Sequence, residues 1–423
     1  MPQVRLGDIE LHYERPVPAG ARAGRPPLLL LAGMASDSAS WAPIAPALAE
    51  RFDTIAPDNR CTGRTRPMPA PTSREAMVGD ALALLDALGI DRVAILGHSM
   101  GAMLGWALAA AKLAQYHAFN RGDAALMLRI AEDARIGNEE RAPWHAMRAF
   151  GHEQLHDLDR AEAAAGRALE LEPGEPWAHH AIAHVHLGRG TLEAGRRFLE
   201  ERSDHWTGLN SFMFTHNWWH LALFEIASGR PERALGVYDE RCWGVEPGYS
   251  QDQVGAVSLL ARLECAGVEV GERWAALRPH LEARARDVEQ PFLALQYLFG
   301  LARAGSPVAD ALMDEVRRQP IEPVVAEDRE LWEEVGVPVA EGVLAHARGR
   351  YGAAAEALSV PWRERVRLGG SHAQRDLFEQ LRLDALWRSG RRAEALRLMR
   401  ARLAFEPDNP LLIARIAEVE AGG

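Results

Sequence analysis

The sequence predicts two regions of different fold class. An α/β half-sheet is expected over residues 1–110, and an all-α array of repeated helix pairs over residues 111–423. Short apolar runs alternate with helical patterns in the first region, whereas Ala, Leu, Arg and Glu dominate the second, where small residues recur at matching intervals. Strands that alternate with helices indicate a parallel sheet, and regular repeats indicate stacked helix pairs.

The composition argues against some classes of binding partner. The net charge of −11 argues against nonspecific binding to nucleic acid or anionic membranes, which needs a basic face. The three cysteines, Cys61, Cys242 and Cys265, are far apart, which fits free thiols in a reducing compartment. The N-terminus lacks the apolar core of a signal peptide, and no run approaches the roughly 18 apolar residues of a membrane helix. We therefore expect a cytoplasmic protein without nucleic-acid or membrane partners.

The strands of the first region are predicted from short apolar runs. The alternating stretch "VRLGDIELHYE" at 4–14 contains a Gly-Asp turn and is typical of an antiparallel hairpin. The continuous run "PPLLLLAG" at 26–33 indicates a strand buried on both faces, and "DTIAPD" at 53–58 indicates the next strand. "RVAILG" at 92–97 predicts a third buried strand.

Two helices are predicted between these strands. Ser36 or Asp37 is a candidate N-cap for a helical stretch that follows the strand at 26–33. The amphipathic stretch "SREAMVGDALALLDALGI" at 73–90 predicts the second helix, immediately before the last strand. This order of strands and helices predicts a parallel α/β sheet.

A Gly-x-Ser-x-Gly motif with Ser99 at its centre follows the strand at 92–97. Glycines at these positions let a strand turn sharply into a helix and expose the serine. The region resembles the N-terminal half of the α/β-hydrolase family. "LAGMASDSASW" is similar to the family's oxyanion loop and "APDNRCTGRT" to its loop after the next strand, although Ala32 replaces a common histidine and Cys61 a usual glycine. The resemblance implies Ser99 as nucleophile and the backbone N–H groups of Met34 and Met100 as oxyanion hole.

The acid and histidine of such a triad are not found at the expected positions. The family supplies them after Ser99, on loops that follow later strands. The stretch 110–141 is instead predicted to be helical from end to end, as is the rest of the chain. Either the helical region supplies a histidine to Ser99, or the motif is a structural relic. Without later strands, the outer edge of the last strand has unpaired backbone groups that another segment must cover.

The second region shows a degenerate tetratricopeptide pattern of about 34 residues per unit. A step of five from Gly to Ala recurs at Gly229–Ala234, Gly349–Ala354 and Gly390–Ala395, and a step of twelve from Ala to Pro recurs at Ala161–Pro173 and Ala395–Pro407. Small residues let paired helices approach, and such units stack into a solenoid with a concave groove. The stretch 305–337 is predicted to be a looser connection.

Longer stretches resemble the bacterial branch of the tetratricopeptide repeat protein 38 family. "PWAHHAIAHVHLGRG", "THNWWHLALFEIASG" and "LGGSHAQRDLFEQL" carry the resemblance, which covers roughly residues 111–415. It implies an architecture rather than a reaction. Gln296 and Arg148 stand where histidines are expected, and the family's opening repeats are replaced by the hydrolase-like region.

Two pairs of histidines, His180 with His184 and His216 with His220, are each four residues apart. Residues i and i+4 share one face of a helix, and the first helices of such repeats line the groove. Facing pairs of imidazoles are suited to a metal ion, although the sequence lacks a His-Glu-x₂-His motif with its general base. A pocket for a polar ligand and hydrogen-bonded packing are the other two interpretations.

Further candidates lie in "LGGSHAQRD", where His372, Arg375 and Asp376 begin a predicted helix with Ser371 as N-cap. They either bind an anionic group or form ion pairs between repeats. Asp252 also begins a predicted helix, and a capping role is favoured over a pocket carboxylate. Of the adjacent Trp218 and Trp219, one is expected to pack between helices.

Three functions remain open at this point. The first is a helical-repeat protein that binds an unidentified small molecule or protein partner in a groove lined by histidines. The second is a serine hydrolase of ester or amide bonds, in which Ser99 uses a histidine from the helical region. The third is a fusion or truncated product without activity. The sequence indicates no cofactor.

Overall fold

The fold is described from a computed structural model, which describes residues 3–6, 9–22, 24–33, 36–67, 74–90, 93–97, 115, 118–134, 139–284 and 286–421. Contacts divide the chain into two compact units. The N-terminal unit comprises Met1–Gln115 and Ile130–Glu140, and the helical unit comprises Tyr116–Arg129 and Arg141–Gly423.

The N-terminal unit contains a mixed five-stranded sheet. Its strands are β1 Gln3–Leu6, β2 Ile9–Glu14, β3 Pro27–Leu31, β4 Asp53–Pro57 and β5 Ala94–Gly97, in the order β1-β2-β4-β3-β5. The hairpin β1–β2 and the pair β2–β4 are antiparallel, whereas β3 is parallel to both β4 and β5. Helices α1 Ala45–Ala49 and α2 Arg74–Ala87 connect the parallel strands, and a 3₁₀ turn at Ser38–Trp41 begins at the predicted cap Asp37, which accepts a hydrogen bond from the N–H of Ala39.

Strand β3 is buried on both faces, as its continuous apolar run predicts. Leu29 and Leu31 face a cluster that includes Leu84 of α2, whereas Leu28 and Leu30 pack with Trp41 on the opposite side. Successive side chains of a strand alternate between faces, so an unbroken apolar run serves two core layers.

Strand β5 differs from the sequence prediction. Its side chains are not buried on both faces, because Ile95 is 38% exposed and Leu96 is 36% exposed. Within the described part of the chain β5 is the last strand of the sheet and pairs only with β3. An apolar run predicts burial only where a second layer covers it, so the prediction of a third fully buried strand was wrong.

The stretch 110–141 is not one continuous helix in its described part. Residues Arg121–Asp123 form a turn before helix α3 Ala124–Asp133, and Gly122 has a φ of 69°. A backbone in the left-handed region ends a helix, and glycine adopts it at low cost.

Helices build the remainder of the described chain. They are α4 Ala142–Gln154, α5 Leu158–Leu171, α6 Pro176–Arg189, α7 Leu192–Glu200, α8 Ser211–Ala227, α9 Pro231–Val237, α10 Ser250–Cys265, α11 Arg273–Glu282, α12 Pro291–Arg303, α13 Val308–Arg318, α14 Arg329–Leu331, α15 Val337–Ala347, α16 Tyr351–Ala357, α17 Trp362–Arg365, α18 His372–Arg388, α19 Arg392–Leu403 and α20 Pro410–Ala421. Single π turns follow α9 and α14, at Tyr238–Cys242 and Trp332–Gly336. Residues 308–318, within the stretch expected to be looser, form helix α13.

The predicted small residues are buried where helices meet. Ala161, Ala168, Ala234, Ala354 and Ala395 are all fully buried. A methyl side chain allows two helix backbones to approach closely, which explains why alanine recurs at these positions. Helix pairs with short connections are therefore the building blocks of this unit.

Helices near the beginning and near the end of the helical unit contact each other. The ring of His372, at the start of α18, bonds to the carbonyl oxygen of Gln154 at the end of α4. A Cβ built on Gly190, at the end of α6, would overlap the carbonyl oxygen of Phe405, just after α19. The side chains expected to line an open groove consequently lie in a packed interior, where α18 also contacts α10.

In the described ranges, no helix is both long and apolar enough to cross a membrane.

The contact between Gly190 and Phe405 makes a prediction about stability. Gly190→Ala places a Cβ against a backbone carbonyl, whereas Gly305→Ala meets nothing within 4 Å, although both glycines have positive φ. We expect Gly305→Ala to cost about 1 kcal/mol of unfolding free energy, and Gly190→Ala roughly 1–3 kcal/mol more. Urea denaturation of the two variants measures the difference, and equal losses would contradict the close approach.

Candidate functional site: a buried histidine cluster

The four paired histidines meet in the helical unit. His180 and His184 lie on α6, His216 and His220 lie on α8, and all four side chains are between 0% and 8% exposed. Helices α6 and α8 are the first helices of consecutive pairs and contact each other. The i, i+4 spacing therefore directs both pairs of imidazoles to one place.

Local sequence signals set the start of each of these two helices. Helix α6 begins with Pro176 after Glu175, whose carboxylate accepts a hydrogen bond from the N–H of Trp177 at 3.0 Å. Helix α8 begins after Asn210, whose side-chain oxygen accepts from the N–H of Met213 at 3.0 Å. Such caps satisfy N–H groups that lack a partner in the first turn, so the histidine positions follow from well-defined helix starts.

The imidazoles are in direct contact. Nε2 of His180 lies 3.1 Å from Nε2 of His184 and 3.2 Å from Nε2 of His216. The ring of His220 is 4.9 Å from the ring of His180, 4.6 Å from that of His184 and 4.8 Å from that of His216, measured between centroids. One ligand atom from each of His180, His216 and His220 lies within 4.8 Å of the other two. The cluster could hold a metal ion.

Glu153 of α4 lies behind the cluster. Its Oε1 is 3.1 Å from Nδ1 of His184, and its Oε2 accepts a hydrogen bond from the side chain of Gln154. Burial alone would raise the pKa of Glu153, but its polar partners His184, His372 and Gln154 together outweigh burial and keep the pKa below its usual value. An ionised Glu153 accepts the Nδ1 proton of His184, which directs Nε2 of that ring towards the cluster.

The imidazoles of α8 are held in the neutral form. Burial lowers the pKa of His216 to about 3, and burial also lowers the pKa of His220 well below its ordinary value, with a contribution from the other histidines. Both nitrogens of the fully buried His220 ring lack a hydrogen-bond partner among the described residues. Neutral imidazoles with available lone pairs are the form that binds a metal or accepts hydrogen bonds from a ligand.

Aromatic rings surround the cluster. His216 stacks on Trp219, with ring centroids 5.3 Å apart, and on Phe212, at 5.0 Å. Phe150 of α4 contacts the ring of His180 at 5.0 Å. Of the two adjacent tryptophans, Trp219 is therefore part of this shell, whereas Trp218 packs against Trp206. The shell excludes water, which strengthens polar interactions inside it.

His372 and Arg375 extend the polar interior. Nη2 of Arg375 donates to Nδ1 of His372 at 3.3 Å, so Nε2–H of His372 donates to the carbonyl oxygen of Gln154 at 3.1 Å. Arg375 is buried, and its guanidinium also donates to the carbonyl oxygens of Gly369 and Gly370. The network brings both residues near Glu153, next to the cluster.

Asp376 faces a different partner. Its carboxylate accepts two hydrogen bonds from Arg402 of α19, at 2.6 and 3.0 Å, and one from Gln380 at 2.6 Å. Asp376 and Arg402 therefore form an ion pair. It joins the two helices of one pair, whereas such ion pairs were expected between repeats. Ser371 is the N-cap of α18, in a reciprocal capping box with Gln374.

The capping role favoured for Asp252 was wrong. Helix α10 begins after Tyr249, and Asp252 instead accepts hydrogen bonds from the hydroxyl groups of Ser211 and Thr215 on α8, at 2.8 and 3.0 Å. Burial raises the pKa of this carboxyl group. Tertiary contacts with α8, which local sequence does not show, determine its role.

Two residues of this interior were missed by sequence reasoning. Glu153 has no spacing relation to the histidines, since its contact with His184 depends on how α4 packs against α6. Arg262 lies in the apolar stretch "VSLLARLEC", and a cation in such a run is a signal of a buried role. Its guanidinium lies 5.3 Å from the ring of Trp219 and donates to Ala373 O at 2.6 Å, and burial lowers its pKa to about 10.

A second group of potential ligands contains Cys265, His346 and Asp384. Asp384 is already engaged, because Nε2 of His346 and Nε of Arg388 both lie within 2.9 Å of its Oδ2. Burial raises the pKa of the Cys265 thiol, which opposes the thiolate form that binds metals. The histidine cluster is the better candidate.

The candidate residues of the hydrolase-like region, Ser99, Met34 and Met100, lie outside the described residues. The neighbouring loops are described in part. Asp58 accepts hydrogen bonds from the N–H groups of Ser38 and Arg64, at 2.8 and 2.7 Å, which joins the loop after β4 to the 3₁₀ turn after β3. Cys61 has a φ of 66°, a left-handed backbone conformation that glycine adopts at lower cost than other residues.

Comparisons with known proteins concern this N-terminal part. A family model described as alpha/beta hydrolase fold matches residues 26–115. A protein of Caulobacter vibrioides named "Putative carbamate hydrolase RutD" is 35% identical over 111 residues, which cover 26% of this chain and 40% of the relative. A protein of the same name from Caulobacter segnis is 40% identical over 89 residues, 21% of this chain and 33% of the relative. The chain thus spans about 40% of the length of the curated relatives it matches.

Among solved structures, a hydrolase from Pseudomonas aeruginosa is 29% identical, with a TM-score of 0.24. The match covers 26% of this chain and 40% of the chain in that structure. An epoxide hydrolase of Vigna radiata is 34% identical, with a TM-score of 0.21. This match covers 26% of this chain and 33% of the chain in that structure. The family match and the sequence relatives support a segment of α/β-hydrolase fold in the N-terminal part of the chain.

His179, next to the cluster on α6, allows a pH prediction. Its Nε2–H donates to the carbonyl oxygen of Pro173 at 2.9 Å, and its Nδ1 accepts from Nε1–H of Trp206 at 3.2 Å. Burial lowers the pKa of His179 to about 4, so the unfolded chain binds this proton from about pH 6.5 and the folded chain only near pH 4. His179 therefore lowers the unfolding free energy by up to about 3 kcal/mol as the pH falls through that window.

The variant His179→Asn cannot take up this proton. We expect its unfolding free energy, measured by urea denaturation between pH 7 and pH 4, to fall less steeply with pH than that of the wild type. The slopes differ by about one bound proton, and parallel slopes would contradict the neutral, doubly hydrogen-bonded imidazole.

Proposed function

We propose that the helical unit is a binding module whose ligand site is the cluster of His180, His184, His216 and His220. The carrying observation is His220, which is fully buried and has both ring nitrogens without a hydrogen-bond partner among the described residues. A buried polar group left unpaired costs about 1–3 kcal/mol. A small polar ligand at this point offsets that cost.

His372 and Arg375 belong to the same site. They connect α18 to the end of α4, next to Glu153, so four helices contribute polar side chains to one interior region. Buried polar networks of this kind are costly unless every member is satisfied. We further propose that the helix pairs are degenerate tetratricopeptide repeats of the type found in the tetratricopeptide repeat protein 38 family, with the site between the first helices of consecutive repeats.

Native mass spectrometry of the full-length protein, purified without chelators, tests the binding function. We expect a small adduct on the wild type that is lost in His220→Leu, because that variant removes the unpaired imidazole. His186→Leu is the control with the same substitution, since His186 lies on α6 with two histidines of the cluster but bonds to Thr191 outside it. The control keeps the adduct. A bare chain mass in all three proteins, each folded by circular dichroism, refutes the proposal.

A hydrolase activity is the second candidate function, and the match of residues 26–115 to the α/β-hydrolase fold favours it. We propose for it a serine mechanism with Ser99 as nucleophile, the N–H groups of Met34 and Met100 as oxyanion hole, and a histidine as base. Removal of the nucleophile or base of a triad lowers kcat by about 10⁶-fold.

A fluorophosphonate probe, which labels activated serines, tests this mechanism. Labelling of the wild type that disappears in Ser99→Ala supports it, and a further loss in a histidine variant identifies the base. A folded wild type that the probe does not label shows that the motif is structural.

A further inference from the structure

We infer that the ligand of the histidine cluster is a divalent transition-metal ion, bound by Nε2 or Nδ1 of His180, His216 and His220, with His184 as the fourth imidazole. The inference rests on the proposed binding function and names its ligand class. The three residues bring one ligand atom each within 4.8 Å of the others. They come from two helices whose caps and packing hold them in place.

The spacing of the nitrogens fits tetrahedral coordination. A metal–nitrogen distance of about 2.0–2.1 Å in a tetrahedron separates the nitrogens by about 3.3–3.4 Å. Nε2 of His180 lies 3.1 Å from Nε2 of His184 and 3.2 Å from Nε2 of His216. Adjustments of a few tenths of an ångström convert these contacts into edges of a coordination tetrahedron.

Protons alone do not satisfy these contacts. Glu153 accepts the Nδ1 proton of His184, so Nε2 of a neutral His184 presents a lone pair. Nε2 of His180 can donate a proton to His184 or accept one from His216, but a neutral imidazole nitrogen does only one of the two. His220 has no hydrogen-bond partner among the described residues at either nitrogen. An ion that accepts one lone pair from each ring engages all four imidazoles at once, including one of the two nitrogens of His220.

The donor set selects the class of ion. Imidazole nitrogens suit Zn²⁺, Co²⁺, Ni²⁺ and Cu²⁺, whereas Mg²⁺ and Ca²⁺ require oxygen ligands. Glu153 lies behind His184 as a carboxylate–histidine pair, the usual outer contact of a metal-bound histidine, and its charge partly offsets that of the ion. Four protein ligands within an aromatic shell describe a closed, structural site rather than a catalytic one, which keeps an open position.

Cobalt spectroscopy tests the inference on the full-length protein after treatment with a chelator. We expect one Co²⁺ per chain with the intense visible bands of tetrahedral coordination, and displacement by Zn²⁺. His220→Gln and His216→Gln lose these bands, and His186→Leu keeps them. Glu153→Gln keeps the bands but weakens affinity by 10–100-fold, because the carboxylate charge behind His184 is lost. Circular dichroism confirms that each variant is folded.

Three results would overturn the inference. The first is a folded wild type that binds neither Co²⁺ nor Zn²⁺. In that case an organic adduct that depends on His220 in the native mass spectrum leaves the proposed binding function intact, whereas no adduct ends both. The second is a thiolate-to-cobalt charge-transfer band that Cys265→Ser abolishes, which places the ion at Cys265, His346 and Asp384. The third is octahedral Co²⁺ that the histidine variants leave unchanged.

Discussion

The contact between Glu153 and His184 is the constraint on which the interior of the helical unit depends. It joins α4 to α6, and it orients the imidazole of His184, which faces both a carboxylate and the other histidines. A buried carboxylate is tolerated only when it is paired and hydrogen-bonded, so the register of these two helices is fixed by polar as well as apolar contacts. Helix α8 then packs its own pair of histidines against the same place, and α18 closes the network through His372.

Local patterns were sufficient for much of the fold. The hairpin at 4–14, strand β3 with its two buried faces, and the alanines at the helix contacts follow from periodicity, turn residues and side-chain size, which act over a few residues. The exposure of β5 and the packed interior in place of an open groove depend on which layers lie next to an element. Such information is tertiary, and an apolar run or a repeat period does not contain it.

The candidate site was also predictable only in part. The i, i+4 spacing places two histidines on one face of each helix, and consecutive first helices bring the two faces together. Glu153 and Arg262 reach this region only through helix packing. The spacing of residues along the sequence therefore offers no means of finding Glu153. Asp252 illustrates the opposite error, because a carboxylate near a helix start favours a capping role until the hydroxyl groups of a neighbouring helix compete for it.

The energetics of the cluster connect its stability to its occupancy. His216 and His220 stay neutral in a shell of aromatic rings, and a buried imidazole without partners destabilises the folded chain. Leucine or phenylalanine would fill such a space without this cost, as they do in the apolar clusters elsewhere in the same unit. Four imidazoles in contact therefore make physical sense when a ligand satisfies their lone pairs, since its binding free energy then adds to the stability of the fold.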